Sequence, residues 1–263
     1  ALVSDVLTSE RITVITNARF VRAERNGGKK AVIAKRGDQL LSFEADEILI
    51  ALGRQPNVNG LNLEAAGVKY NQQGIAVDDY LQSSIPNVLA IGDVIGGYQF
   101  SHVAAYQAGV AARNALLPVG KKKVDYRVVP WCTFTDPEAA RVGLTPDEAE
   151  KRYRQTRVLK YPWAEIDRAQ AEGATTGFIK LVLAGKKDEI VGVHIVGSSA
   201  GELLGEMALA MRNRLALSDI YNTIHAYPTL ATGLPQAAFE AYLQGGTVRR
   251  NRRVIQTILK WRR

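Results

Sequence analysis

Side chains that could do chemistry are sparse in this chain, and the most informative pair closes an apolar run. Asn87, Val88, Leu89, Ala90 and Ile91 lead into Gly92 and Asp93. The run reads as a buried strand, and ligands of open α/β sheets bind at the carboxyl ends of strands. Gly92 has no Cβ and lets a ligand approach the backbone, while Asp93 can accept hydrogen bonds from a polyol. A glycine loop, Val94 to Gly97, leads into a helix from about Ser101 to Leu117, whose first amides favour partial negative charge at the same place. Alone, a strand followed by Gly-Asp is as readily an ordinary turn. The other reactive residues do not cluster. Cys132 is the only cysteine, which excludes an intrachain disulfide or a CxxC pair, and His102, His194 and His225 have no ligand-spaced partners. No metal site is expected. Cys132 reads as a buried core residue, His194 as a surface or interface side chain in a strand, and His225 as structural. Tyr161 and Trp163 read as packing residues.

The elements that would position these residues follow two patterns. Residues 11–24 alternate apolar and polar and read as strand, Asn26-Gly27-Gly28 as a hairpin turn, and Ala31 to Arg36 and Leu40 to Ala45 as further strands. The run from Glu47 to Gly53 is too short for a helix and suits a strand buried on both faces. With the run ending at Gly92 it predicts a parallel α/β sheet. Pro118, Gly120 and the basic stretch Lys121-Lys122-Lys123 mark a domain boundary. Beyond it, strands are predicted over Val128 to Phe134, Thr156 to Tyr161, Gly177 to Ala184 and Glu189 to Val196. Helices are predicted over Thr145 to Tyr153, Gly201 to Leu215 and Leu230 to Gln244. That order makes an α+β domain. Thr145 with Glu148 has the spacing of a capping box, and Leu203, Met207, Met211 and Leu215 line one face of the second helix.

The 263 residues carry a net charge of +8, but the excess is local. Arg249, Arg250, Arg252, Arg253, Lys260, Arg262 and Arg263 lie in a terminal stretch without a single acid. Without them the body is close to neutral, so nucleic-acid binding is not expected. Read as a helix, residues 248–263 place Val254, Ile255, Ile258, Leu259 and Trp261 on one side with basic residues around them, which would suit contact with an anionic membrane surface or with a membrane domain of the same parent chain. The N-terminus has neither an initiator Met nor the pattern of a signal peptide, and reads as cut within a helix.

Several segments together resemble the class I pyridine nucleotide-disulfide oxidoreductases, flavoproteins of the lipoamide dehydrogenase and mercuric reductase type. Ile48 to Asn57 resembles the signature that ends their NAD(P) domain, and Asn87 to Asp93 their second flavin-contacting motif. Gln99 to Ala104 resembles the helix start beneath the flavin pyrimidine. Phe134 to Thr145, Gly177 to Val182, Glu189 to Gly197 and Gly201 to Glu206 resemble the interface domain. The resemblance implies an α/β fold of partial NAD(P)- and FAD-binding Rossmann-like domains, at 1–56 and 57–123. An α+β dimerisation domain at 124–243 and a basic tail at 244–263 would follow. It implies an FAD-dependent NAD(P)H oxidoreductase that works as a cytoplasmic homodimer through residues 124–243. Asp93 beside Gly92 would bond the ribityl chain, the backbone of Phe100, Ser101, His102 and Val103 would face the pyrimidine edge, and Gly53 would lie near the nicotinamide dinucleotide.

Two features depart from the family pattern. The sequence contains no GxGxxG phosphate loop and no redox dithiol, so the chain as given is expected to be inactive alone. Disulfide-reducing members also carry a His-Pro with a Glu four residues past the Pro. Here Tyr227 takes the histidine position and Thr232 the glutamate position, and a phenol is a poor proton shuttle for thiols at neutral pH. That weakens lipoamide or glutathione as substrate and leaves mercuric-reductase-like, transhydrogenase-like or quinone-reducing chemistry open, and the absence of the vicinal cysteines that end mercuric reductases counts against mercury. The alternative is a non-catalytic dimerisation module without bound flavin.

Overall fold

A computed structural model describes residues 2–117 and 119–244. The predicted tail helix lies outside the described residues. The chain divides into two units, Glu10–Asp125 and Ala1–Ser9 with Tyr126–Arg263. The division falls between Asp125 and Tyr126.

The first unit opens with an antiparallel meander of β1 (Ala18–Asn26), β2 (Lys29–Arg36) and β3 (Gln39–Ala45). Gly27 and Gly28 make the first turn with φ of 56° and 93°, a region that side-chain-bearing residues rarely enter. Phe20, Ala34 and Leu41 stand opposite one another across the sheet, as do Ala23, Val32 and Phe43, giving it one apolar face. The predicted strand at residues 11–24 starts only at Ala18, because Arg11 and Asn17 take positive φ and interrupt the extended chain.

The parallel sheet expected from the two apolar runs does not form among the described residues, where every paired strand is antiparallel. Glu47 to Gly53 is not a strand, and Leu49, Ile50 and Leu52 are 90%, 78% and 79% exposed. A parallel strand forms only against neighbours, and no described strand lies beside this one. Asn87 lies in a turn, and residues 88–91 form no strand, with a single bridge between Leu89 and Gln82 and an extended Ile91. Gly92 therefore does not end a sheet strand. Ala90 is nonetheless buried, in a small core with Leu63, Val68 and Ile75. The last of these sits in the short hairpin of β4 (Tyr70–Asn71) and β5 (Gly74–Ile75). Then comes α2 (Ser101–Leu116), whose buried stripe is Val103, Gln107, Val110 and Asn114.

The second unit is the predicted α+β domain. Its strands are β6 (Pro130–Thr133), β7 (Glu138–Gly143), β8 (Thr156–Pro162), β9 (Phe178–Ala184) and β10 (Glu189–Gly197), in the order β6-β7-β10-β9-β8. The helices are α1 (Leu2–Ser9), α3 (Pro146–Arg152), α4 (Asp167–Ala171), α5 (Ala200–Arg212), α6 (Leu217–Tyr221) and α7 (Gly233–Gln244). β7 was not foreseen as a strand. Its Glu-Ala-Ala-Arg-Val-Gly is poor in β-branched residues, and it is held by ladders on both sides. Helix α3 has the expected capping box between Thr145 and Glu148. α5 ends at Arg212, so Leu215 lies past it, and α7 begins three residues later than its hydrophobic pattern suggested. Trp163, Ile179, Ile195, Leu204, Met207 and Ala238 belong to one large core. Among the described residues no helix is long and apolar enough to cross a membrane.

Candidate functional site

The turn at Gly92 and Asp93 is built from the backbone outward. Ile91 is extended at φ −143°, and the chain then turns through a 3-10 segment, Gly92–Ile95. Gly92 holds φ 72°, and a Cβ there would stand 3.3 Å from that of Ala104 in α2. Its amide donates a 2.6 Å hydrogen bond to Gln107 Oε1, and both residues are buried. Gly96 closes the turn, its amide donating to the Asp93 carbonyl at 3.1 Å. The β4–β5 hairpin braces the far side. A Cβ on Gly74 would meet the Val94 carbonyl oxygen at 2.2 Å, and one on Gly96 the Gln73 carbonyl oxygen at 2.3 Å. Bare glycine is therefore required at both contacts.

This cradle presents Asp93 outward. Its side chain is 44% exposed and Oδ2 lies 3.5 Å from Arg54 Nη1, which also donates to the Gln99 carbonyl at 2.9 Å. Arg54 thus joins three predicted segments: Gly53 beside it, Asp93, and the residues that start α2. Gly53 is itself exposed, at φ 102° with open space where a Cβ would be. Phe100 is the N-cap of α2 and gives no side-chain cap, so this helix start presents backbone rather than a hydroxyl or carboxylate. Ser101 and His102 are exposed, Val103 is buried beneath them, and the Phe100 and His102 rings stack at 5.2 Å. Sequence reasoning missed Arg54 and Gln107. Arg54 directly follows Gly53, and Gln107 occupies an otherwise apolar helical position, which was the available signal. Asn114 is a second polar residue on that stripe. Its amide bonds the carbonyls of Tyr80 and Lys122 at 3.0 and 2.8 Å and accepts from Lys122 N at 2.7 Å.

The other residues singled out lie in the second unit. Tyr227 is exposed, and its hydrogen bond to the Asp167 carboxylate raises the phenol above its ordinary range. Thr232 is buried and donates to the Thr229 carbonyl at 2.7 Å, a local helix-start contact. His225 Nε2 lies 2.9 Å from Glu206 Oε1 and Nδ1 lies 2.9 Å from the Thr223 carbonyl. His194 is more enclosed than expected. Burial, followed by the charges of Arg141 and Lys180, lowers its pKa although Nε2 contacts the Leu144 carbonyl at 3.0 Å. Cys132 is half-buried, not fully core; burial and then the Glu138 carboxylate push its thiol up to about 11. No group of His, Cys, Asp and Glu among the described residues could hold a metal.

Residues 1–108 match the pyridine nucleotide-disulphide oxidoreductase domain, and residues 129–238 match the dimerisation domain of the same proteins. This chain belongs to the pyridine nucleotide-disulphide oxidoreductases. Among relatives in that family, the mercuric reductase of Staphylococcus aureus is 37% identical over 237 residues, covering 90% of this chain and 43% of the relative. The dihydrolipoyl dehydrogenase of Chlamydia pneumoniae is 36% identical over 230 residues, covering 87% and 49%. The fold is similar to that of LpdA from Mycobacterium tuberculosis, with TM-score 0.81 and 26% identity over 90% of this chain and 51% of that one. It is also similar to the HOCl-induced flavoprotein disulfide reductase RclA from Escherichia coli, with TM-score 0.80 and 28% identity over 89% and 53%. The chain thus spans about half the length of these oxidoreductases.

Proposed function

We propose that this chain supplies the second flavin-contacting motif and the dimer interface of an FAD-dependent NAD(P)H oxidoreductase. The observation that carries the reading is the braced Gly92 turn, which fixes an outward carboxylate, Asp93, beside the uncapped start of α2. These residues fit a flavin. Asp93 would accept hydrogen bonds from the ribityl hydroxyls, and the backbone from Phe100 to Val103 would meet the electron-rich pyrimidine edge, where a helix N-terminus favours partial negative charge. Bound FAD would supply hydride acceptance from NAD(P)H, with Gly53 on the nicotinamide side. Arg54 holds Asp93 and the Gln99 carbonyl in register for that contact. In this reading residues 1–56 belong to the NAD(P)-binding domain, 57–123 to the FAD-binding domain and 124–243 to the interface domain, in a cytoplasmic enzyme that draws on the NAD(P)H pool.

The homodimer assignment has its own support. The second unit exposes Ile224 at 97% and Leu209 at 64%, with Phe239 and Leu243 one turn apart on α7. Exposed apolar area of this kind is what a partner surface covers. Tyr227 argues against a thiol-exchanging acceptor, because a phenol held neutral by Asp167 does not shuttle protons to thiolates at neutral pH. A quinone, mercuric ion or second pyridine nucleotide remains as acceptor class.

Gentle purification of the chain, followed by flavin release and light scattering, tests the reading. A dimer that carries flavin, and loses about tenfold in flavin affinity in Asp93→Asn, is expected. A colourless dimer that takes up no added FAD would instead make this polypeptide a dimerisation module.

A further inference from the structure

Within the second unit, a cavity of about 320 Å³ opens where the C-terminal ends of α3 and α5 meet the first residues of β10. Its volume is within the range of small-molecule sites. The floor is apolar, formed by Leu144, Ile190 and Met211. The rim carries the guanidinium groups of Arg127, Arg152 and Arg214 against the single carboxylate of Glu189. Neither Arg152 nor Arg214 closes an ion pair among the described residues. Cations near helix C-termini offset the negative end of the helix dipole. Arg152 already does this for α3 and Arg212 for α5. The third guanidinium is not needed for that purpose.

Arg214 is the telling residue. Helix α5 closes in a Schellman motif, with the Arg214 amide donating to the Met211 carbonyl at 3.1 Å and the Leu215 amide to the Ala210 carbonyl at 3.0 Å. The residue between them must be left-handed, and Arg214 holds φ 55°. Glycine takes that conformation without strain, whereas a residue with a Cβ does not. The chain keeps an arginine at the one position of the motif where glycine is conformationally favoured, and its side chain lines the cavity rim. Backbone strain retained beside a cavity is a reason to look for a ligand of that side chain.

We infer that this cavity binds a small anionic amphiphile, a carboxylate or phosphate head on an apolar body. The head meets Arg152 and Arg214 while the body covers Leu144, Ile190 and Met211. Guanidinium groups recognise carboxylate and phosphate alike through paired N–H donors, and an apolar floor discriminates against the bare ion. The site is independent of the flavin reading, since all its residues lie in the second unit.

Octanoate and octyl phosphate serve as probes, titrated into the full chain with octanol and inorganic phosphate as controls. At about a hundredfold excess over Kd either anion should raise Tm by about 5 °C or more, and neither control should do so. Arg214→Gly removes the rim charge and the left-handed strain together, so its Tm without ligand should equal or exceed that of the parent. It should bind both probes about tenfold or more weakly, as should Arg152→Gln. The inference is overturned if neither anion binds, if octanol or inorganic phosphate binds equally well, or if Arg214→Gly binds as the parent does.

Discussion

Replacing Gln107 with methionine tests whether the Gly92 turn is held by the helix behind it. The Gly92 amide donates to Gln107 Oε1 at 2.6 Å, and both groups are buried, so no water replaces the lost acceptor. Methionine fills nearly the same volume and offers only a weak sulfur acceptor. Two effects add. The hydrogen bond contributes about 1 kcal/mol net, and a buried amide left without a partner costs about 1–3 kcal/mol. Part of this overlaps, so Gln107→Met should destabilise the first unit by about 2 kcal/mol, a fall in Tm of about 5–10 °C. Urea denaturation should show a lower midpoint with an unchanged slope. If the turn frees itself instead of the whole unit unfolding, the loss moves to ligand affinity, up to about thirtyfold. A variant within about 0.5 kcal/mol of the parent that also holds flavin normally would refute the bracing role.

Other residues give sharper local tests. Asp93→Asn breaks an exposed pair with Arg54, so stability should change by less than about 1 kcal/mol, and a larger loss in urea titration would make the pair structural. Gly197→Ala would put a Cβ 2.4 Å from the fully buried Trp163 ring; denaturation should show a loss above about 2 kcal/mol, and a neutral result would mean that the ring moves freely. With its pKa near 11, Cys132 should react with iodoacetamide at pH 8 about a hundredfold more slowly in the folded than in the denatured chain. Equal rates would show an ionised or freely opening thiol. The pKa of His194 is lowered on folding, so the unfolded chain takes up the proton first as pH falls below about 6.5. Stability is then lost through the folded pKa, and His194→Gln should flatten that acid limb; an unaltered limb would place the effect elsewhere.

What could be read from sequence followed what each element needs from its surroundings. Hairpins carry their own instructions, so Gly27, Gly28 and the alternating apolar residues located β2 and β3 to within two residues, whereas the start of β1 was placed seven residues too early. The capping box at Thr145 was equally local. Parallel strands are not local: the apolar runs at Glu47–Gly53 and Asn87–Ile91 had the right composition, but among the described residues they have no neighbours to complete a ladder. β7 failed in the opposite sense, since the flanking β6 and β10 make a strand of residues with weak intrinsic preference. At the site, the left-handed turn at Gly92 was legible because it needs only a residue without a Cβ, and the exposed carboxylate of Asp93 because it follows directly in the chain. Arg54 was not, because its partners lie 39 and 45 residues away in the chain.

The uncovered run from Leu49 to Leu52 has a consequence for handling the protein. Full burial of each large apolar side chain in this run is worth about 1.5–3 kcal/mol, and the residues are contiguous, exposed and without charge. Such a window matches the requirements for intermolecular strand pairing. Solutions of the chain by itself should therefore turn cloudy with rising concentration, and a lysine at position 50 should delay that clouding without altering the second unit.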